Sequence, residues 1–528
     1  MNRRMVGLPS LKWVYDGSGT LASKIWFDYD WGSSSAHLVA TPQNPVQHDS
    51  AYDINFAAGR GNLVLVLRFD LTDPDNTANK AMQYKYGYDT NGSLAFTRDH
   101  LWHQTNLSYQ DSFSDSNNHN TFAYATTVTD PDGYSSTAQY NFDFGATTRT
   151  QSPTPAGQTQ GRIQSFSYDN AARVERITIA NTNAYTRYIY GPYYMQSFSA
   201  VNNVADESYA CQVFDGAGRV TSQSANHPGS TGGYIGQLTT YDVMGRAIQQ
   251  SKPTEITGNW VPVGDDSAWV YTTQAYDWKG RSTLTTLPDG STRENTYGGC
   301  GCAGGEVTTV RDENGRRRKL TNDVLDRLKQ VDELNWDQSV YSTTTYSYNV
   351  RDQLTQISQA GQIRSFAYDP HGRLQTRTTP EQGATSYTYF ANDMVQTITD
   401  ARGATTTFNY NNRDLVTGIS YGVPSGVAAT PNVTFGYDAA GNRTSMTDGL
   451  GSVSYVYDQL SRLTSETRTF TGVGSFALSY GYNLADELTS ITNQWGAQVP
   501  VGPSVFPVPV TPASPVTSTV WPTALLVV

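Results

Sequence analysis

Cys300 and Cys302, one residue apart in "GGCGCAGG", are the pair that type and spacing best suit to chemistry. A structural zinc would need two more ligands, and the "HLWH" stretch from His100 to His103 could supply them only through a long-range meeting. Three readings follow: a metal site, a reactive thiol pair, and a tight Gly-rich bulge with buried thiols. The last is preferred, since C-x-C is a weaker signal than C-x-x-C. "DPDN" at Asp73 and "DPDG" at Asp130 bring carboxylates together as calcium loops do, yet neither continues to the closing Glu of an EF-hand. Turn chemistry accounts for both. The sequence has no G-x-S-x-G, H-E-x-x-H or Walker-type loop, and "GDDS" at Gly264 stands alone. Paired glycosidase carboxylates cannot be picked out among so many Asp residues. No catalytic residue, cofactor or metal ligand is therefore assigned, and the chain reads as non-enzymatic. Trp102, Trp260, Trp278 and Trp336 could stack on sugar rings, although aromatics at strand spacing more often serve packing.

The elements that must carry these residues repeat. "FAYDPHGRLQTRT" from Phe366 returns as "FNYNNRDLVTGIS" from Phe408. Aligned on the second aromatic, Tyr348, Tyr368, Tyr389, Tyr410, Tyr437, Tyr457 and Tyr482 lie 20, 21, 21, 27, 20 and 25 residues apart. Tyr88, Tyr168, Phe214, Tyr241, Tyr276 and Tyr297 fit the same frame upstream, as does Asn322 without its ring. Aromatics two apart share one face of an extended strand. The D-x-x-G that follows predicts a tight turn, with the Asp side chain bonding the backbone ahead and Gly supplying positive φ. Asp326, Asp352, Asp393, Asp414 and Asp486 replace that Gly, which reads as left-handed backbone. Apolar residues at the first and fourth places of the next run, as in "LTQIS" from Leu354, break strict alternation and suggest a bulge. Second turns such as "TDARG" from Thr399 set a rhythm of a turn about every ten residues, which predicts an all-β array of antiparallel hairpins.

The composition agrees. The 528 residues include 35 Tyr and 18 Phe against only 37% hydrophobics, which suits a sheet with one face buried and one wet. A net charge of -11 disfavours nucleic acid or an anionic membrane as partner, and "GRRRKL", Arg316 to Lys319, reads as a solvated turn. No apolar run suggests a signal peptide or approaches the roughly 20 residues of a membrane span. Three cysteines cannot supply a disulfide framework. Residues 1–87 read as an irregular β-prone segment opening the array, residues 88–493 as the array, and residues 494–528, with seven prolines from Pro500 onward, as an extended tail. Within the array, "YQDSFSDSNNHN" and "QSPTPAGQTQG" read as long loops, suited to binding or merely inserted.

The units "YDNAARV", "FDGAGRV", "YDVMGRA", "YDPHGRL" and "YDQLSRL", in frame from Tyr88 to about Ile491, resemble the YD repeat of bacterial Rhs proteins, of the C component of insecticidal toxin complexes, and of the teneurin shell. "YGGCGCAGGEV" from Tyr297 resembles an interruption found in some bacterial members. The resemblance implies a β-sheet spiralling into a hollow shell, secreted or at the cell surface, often around a toxic polypeptide. It also implies a core segment with an Asp-rich self-cleavage site before the toxin. That segment is not found here, so a truncated or degenerate member with an open shell is expected. A carbohydrate-binding surface protein is the alternative, with a cell-surface glycan as partner. A hydrolase comes last.

Overall fold

The computed structural model describes residues 7–30, 38–39, 45–46, 49, 60–230, 232–257, 269–299 and 305–501, without the side chains of 38 and 39. Every regular element among them is a β-strand, forty in all. No helix there is long and apolar enough to cross a membrane. The fold is all-β, as the turn rhythm predicts.

Each strand pairs antiparallel with the next along most of the chain. Val340–Tyr348 pairs with Leu354–Gln359, that with Gln362–Tyr368, and that with Leu374–Thr379. There are three departures. Leu21–Tyr29 pairs with Leu63–Arg68; Leu38–Val39 lies parallel to Tyr88–Asp89; and Tyr234–Tyr241 divides its length between Thr254–Ile256 and Ala247–Ser251. Among the described residues, Leu11–Tyr15 at one end and Gln498–Pro500 at the other have a partner on one side only, so the sheet is not closed into a barrel. Pro500 thus occupies an edge strand, where its missing N–H is tolerated.

The expected bulge is present, and it explains the broken alternation. Tyr348 faces Leu354 while Ser347 faces Gln356, leaving Thr355 as the extra residue. Leu354 is opposite Tyr348, and Ile357 is opposite Tyr346, so both apolar residues share the face of the two rings. The same register shift recurs at Tyr368, Tyr389, Tyr410, Tyr437, Tyr457 and Tyr482. The five Asp residues in the Gly slot have φ of 62°, 62°, 71°, 61° and 64° in chain order, as the left-handed reading requires.

Burial is thin. Among the described residues, Val453 and Leu460, each 7% exposed, are the only buried apolar residues after Ile256. A single sheet offers each ring only its neighbours on the same face, and a cross-strand pair is worth roughly 0.2–1 kcal/mol. Stability must therefore accumulate over many repeats.

The sheet spirals. Hydrogen bonds join residues 278 to 329 positions apart, from Asn181 with Gln459 to Ala22 with Arg351. About 24 strands separate such partners, which at about 4.8 Å per strand gives a circumference on the order of 115 Å and a diameter on the order of 37 Å. A sheet of twisted strands curls in this way once it is long enough.

Candidate functional site: a ladder of turns and the seam it forms

The repeated residues converge on the Y-D-x-x-G-R turn. In Tyr241–Arg246, Asp242 Oδ1 accepts the backbone N–H groups of Met244 and Arg246, each at 2.9 Å. Its Oδ2 takes the Arg246 guanidinium at Nε, 2.7 Å, and Nη2, 2.6 Å. Gly245, at φ 82°, closes the turn by donating to the Asp242 carbonyl at 3.0 Å. The free corner of the same guanidinium reaches forward, Nη1 donating to the Asp277 carbonyl at 3.0 Å, and the group lies 4.8 Å from the Tyr276 ring centre. Tyr276 answers by donating its hydroxyl back to the Ala247 carbonyl at 2.8 Å.

That three-part link recurs down the sheet. Arg327 stacks on Tyr348, Arg373 on Tyr389 and Arg462 on Tyr482, at 4.9, 4.6 and 4.9 Å. The three tyrosines donate to Leu328, Leu374 and Leu463 carbonyls at 2.9, 2.7 and 2.9 Å. Arginine is the suitable cation, because one planar fork serves a carboxylate, a carbonyl and a ring face at once. The Arg173 side chain, then its backbone N–H, holds Asp169 below the usual carboxylate range. Asp215 and Asp242 are lowered first by the backbone N–H of Arg219 and Arg246 and then by the guanidinium. Burial pushes the Tyr482 hydroxyl up, and that of Tyr88 to about 12. Asp169, Asp215 and Asp242 are thereby favoured as carboxylates, and Tyr88 and Tyr482 as neutral phenols, which suits a structural clamp.

These turns line one edge of the ribbon, and the second turns line the other. Where the spiral overlaps itself, the first edge of the later turn sits on the second edge of the earlier one. Asp393 takes Arg68 and, at 2.9 Å, the Tyr84 hydroxyl, as well as Arg373 at 3.2 Å from its own side. Arg413 reaches Asp132 at 3.0 Å. Asp438 accepts the Ala156 N–H at 3.0 Å, Gln158 donates to the Tyr457 carbonyl at 2.6 Å, and Arg162 lies 3.4 Å from Asp486. An apolar contact completes the seam: Leu460 packs on Ile179 and Ala184, with Leu484 alongside. "QSPTPAGQTQG" is therefore a seat for the seam, with Pro155 fully buried.

Other candidates fall into place around this frame. Asp73 accepts Thr77 N–H at 2.8 Å and Ala78 N–H at 2.9 Å, and Asp130 accepts Asp132 and Tyr134 N–H at 3.0 and 2.9 Å, so both are turn residues. Only Arg316 of "GRRRKL" belongs to a turn; a strand begins at Arg317, and Arg318 pairs with Glu333 across it. Trp278 and Trp336 are 88% and 74% exposed, and so is Trp495, at 74%, which the repeat frame gave no reason to single out. Trp102 lies over Lys85 and Arg98. Cys300, Cys302, Trp260 and Gly264 lie outside the described residues, as does the chain beyond residue 501. The two histidines of "HLWH" part company: His100 Nδ1 accepts the Gln83 N–H at 3.1 Å, while His103 Nδ1 lies 3.0 Å from Asp99 and 3.9 Å from Asp414. The seam partners themselves carried no sequence signal, since Asp352 looks like Asp393 in the repeat but takes only the Arg327 of its own layer.

Residues 275–496 match the family model described as Teneurin YD-shell. Over those residues the chain is similar to a YD-repeat shell. No curated protein matches the chain. Among solved structures, the crystal structure of TcdB2-TccC3-TEV is 16% identical over 88% of this chain and 28% of its own, with a TM-score of 0.35. The crystal structure of TcdB2-TccC3 without its hypervariable C-terminal region is 16% identical over 83% and 27%, at 0.35. The Photorhabdus luminescens Tc holotoxin pore is 15% identical over 83% and 27%, at 0.34. The chain thus spans less than a third of the length of these solved chains, and overlays this loose add nothing to the YD-shell assignment, which rests on the family match and the ladder.

Proposed function

We propose that this YD-repeat shell is a non-enzymatic wall segment of an Rhs-type, secreted or surface toxin-related system, and that its work is to enclose or present a polypeptide. The supporting observation is the geometry of the spiral. A single sheet, about 24 strands to the turn, surrounds a space far too wide for its own side chains to fill. Asp242, Asp369 and Asp458 are each committed to a turn and an arginine, as a structural clamp requires. In this reading residues 88–493 form the wall, with Gln498–Pro500 as its edge strand. A reporter polypeptide fused after Val528 should be cut by protease at least several-fold more slowly than when fused to an unrelated domain. Equal rates would remove the enclosing role.

A glycan-binding surface has one observation in its favour, the high exposure of Trp278 and Trp336. Glycan-array binding abolished by Trp278→Ala and Trp336→Ala would promote it above enclosure, and an array without signal would retire it.

A further inference from the structure

At one site in the seam a histidine fills the place after the turn that arginine holds at Arg246 and Arg373. Asp99-His100-Leu101-Trp102-His103 has the layout of the repeated turn: Asp99 Oδ1 accepts the His103 N–H at 2.8 Å, and Trp102 holds the left-handed slot at φ 71°. His103 stands where Arg stands elsewhere. Its Nδ1 is cut off from solvent and has no hydrogen-bond partner of acceptable geometry, although Asp99 Oδ2 lies 3.0 Å away. From the next turn of the spiral, Asp414 brings its Oδ1 to 3.9 Å from the same nitrogen. Of the other Asp residues in the equivalent slot, Asp352, Asp393 and Asp486 each take an arginine, and Asp326 takes the Asn322 amide. Asp414 takes none; its other partner is the Asn392 amide, at 2.9 Å. Two carboxylates therefore face one imidazole where neighbouring sites are charge-balanced.

We propose that Asp99, His103 and Asp414 bind a single zinc-type divalent cation that clips one turn of the shell to the next. The three ligand atoms lie within 4.8 Å of one another. Zinc holds N and O ligands at about 2.0–2.2 Å, which puts tetrahedral neighbours roughly 3.3–3.6 Å apart, between the two distances observed. Two carboxylates neutralise the ion and the imidazole stays neutral. An adjoining cleft of about 420 Å³, lined by Trp102, Gln104, Asn106, Thr129 and Asp130, leaves room for water at the fourth position. Calcium is disfavoured, because it takes six to eight oxygens and little from imidazole. The ion would do for this site what the paired arginines do at Asp393 and Asp486, with the difference that the clip could be removed by a chelator.

The test uses the full chain with Cys300 and Cys302 changed to Ser, so that thiolates cannot supply a competing site. After chelation, zinc chloride is titrated by calorimetry and thermal midpoints are recorded with and without zinc. One zinc per chain is expected, with a raised midpoint and no comparable response to calcium. Asp414→Asn tolerates the left-handed backbone and should weaken zinc binding by about 10-fold or more and abolish the zinc-dependent midpoint shift. His103→Gln, a change at the other edge of the seam, should do the same. Absence of one-to-one binding, calcium binding as tight as zinc, or zinc affinity unchanged in whichever variant folds would overturn the proposal.

Discussion

Arg373 shows how much one side chain carries in this fold. It holds Asp369 at 2.7 Å, donates to the Phe390 carbonyl at 3.0 Å, touches Asp393 at 3.2 Å and covers Tyr389. Lysine has the charge without the planar fork, so it can satisfy one of these partners and must release the others. Arg402 is the control, since it is 82% exposed and binds only Asp400 in its own turn. Arg373→Lys should cost on the order of 1–2 kcal/mol locally, against less than about 0.5 for Arg402→Lys. In native-state hydrogen exchange that is about 5–30-fold faster exchange in Leu374–Thr379 and Val395–Thr399, with Arg402→Lys near unity. Equal effects would mean that the forward links contribute nothing. At this scale the sequence displayed the Tyr, the Asp and the Gly with their reasons, but left the Arg of Y-D-x-x-G-R without one. Its forward partners lie a repeat further on, and only strand order brings them within reach.

A turn is the unit that the sequence describes best, because its demands are local. Positive φ at five Asp residues and the bulge after each aromatic pair follow from residue type and broken alternation alone. The sequence cannot show which residue of a turn meets the neighbouring layer, and Asp352 and Asp393 make the difference measurable. Both hold the left-handed backbone that Gly occupies at less cost. Asp352 is 67% exposed and spends its carboxylate on Arg327 alone. Asp393 serves Arg68, Tyr84 and Arg373. Asp352→Gly should therefore be neutral or stabilising by up to about 1 kcal/mol, whereas Asp393→Gly should destabilise by about 1–3 kcal/mol despite the same backbone relief. Thermal midpoints of the two variants decide the matter. A rise in both would reduce the seam bonds at Asp393 to ornaments of the turn.

For the molecule as a whole, the spiral is a sum of small twists, and the point of overlap depends on every insertion along the way. That is why a loop such as 152–162 reads as a surface insertion and proves to be a seat, and why Leu460 in "YDQLSRL" looks like any exposed turn residue. Its side chain is 7% exposed, against 75% for Met244 and 64% for Leu325 in the corresponding place of other units. The seam covers it with Ile179 and Ala184. If the two layers hold each other, a charge at this point should part them without dissolving either, because a carboxylate among apolar groups costs several kcal/mol and no ladder bond runs through the Leu460 side chain. Leu460→Asp should leave the β-sheet circular dichroism at neutral pH unchanged. It should also release Ala156 and Gln158 from Asp438 and Tyr457, so that protease cuts within residues 152–162 at least about 10-fold faster than in the parent chain. Loss of sheet signal together with protection would show that layers and ladder form one cooperative unit. Cleavage no faster than in the parent would show that the loop is held by its own hairpin, and the seam would then be a consequence of the spiral rather than a cause of its persistence.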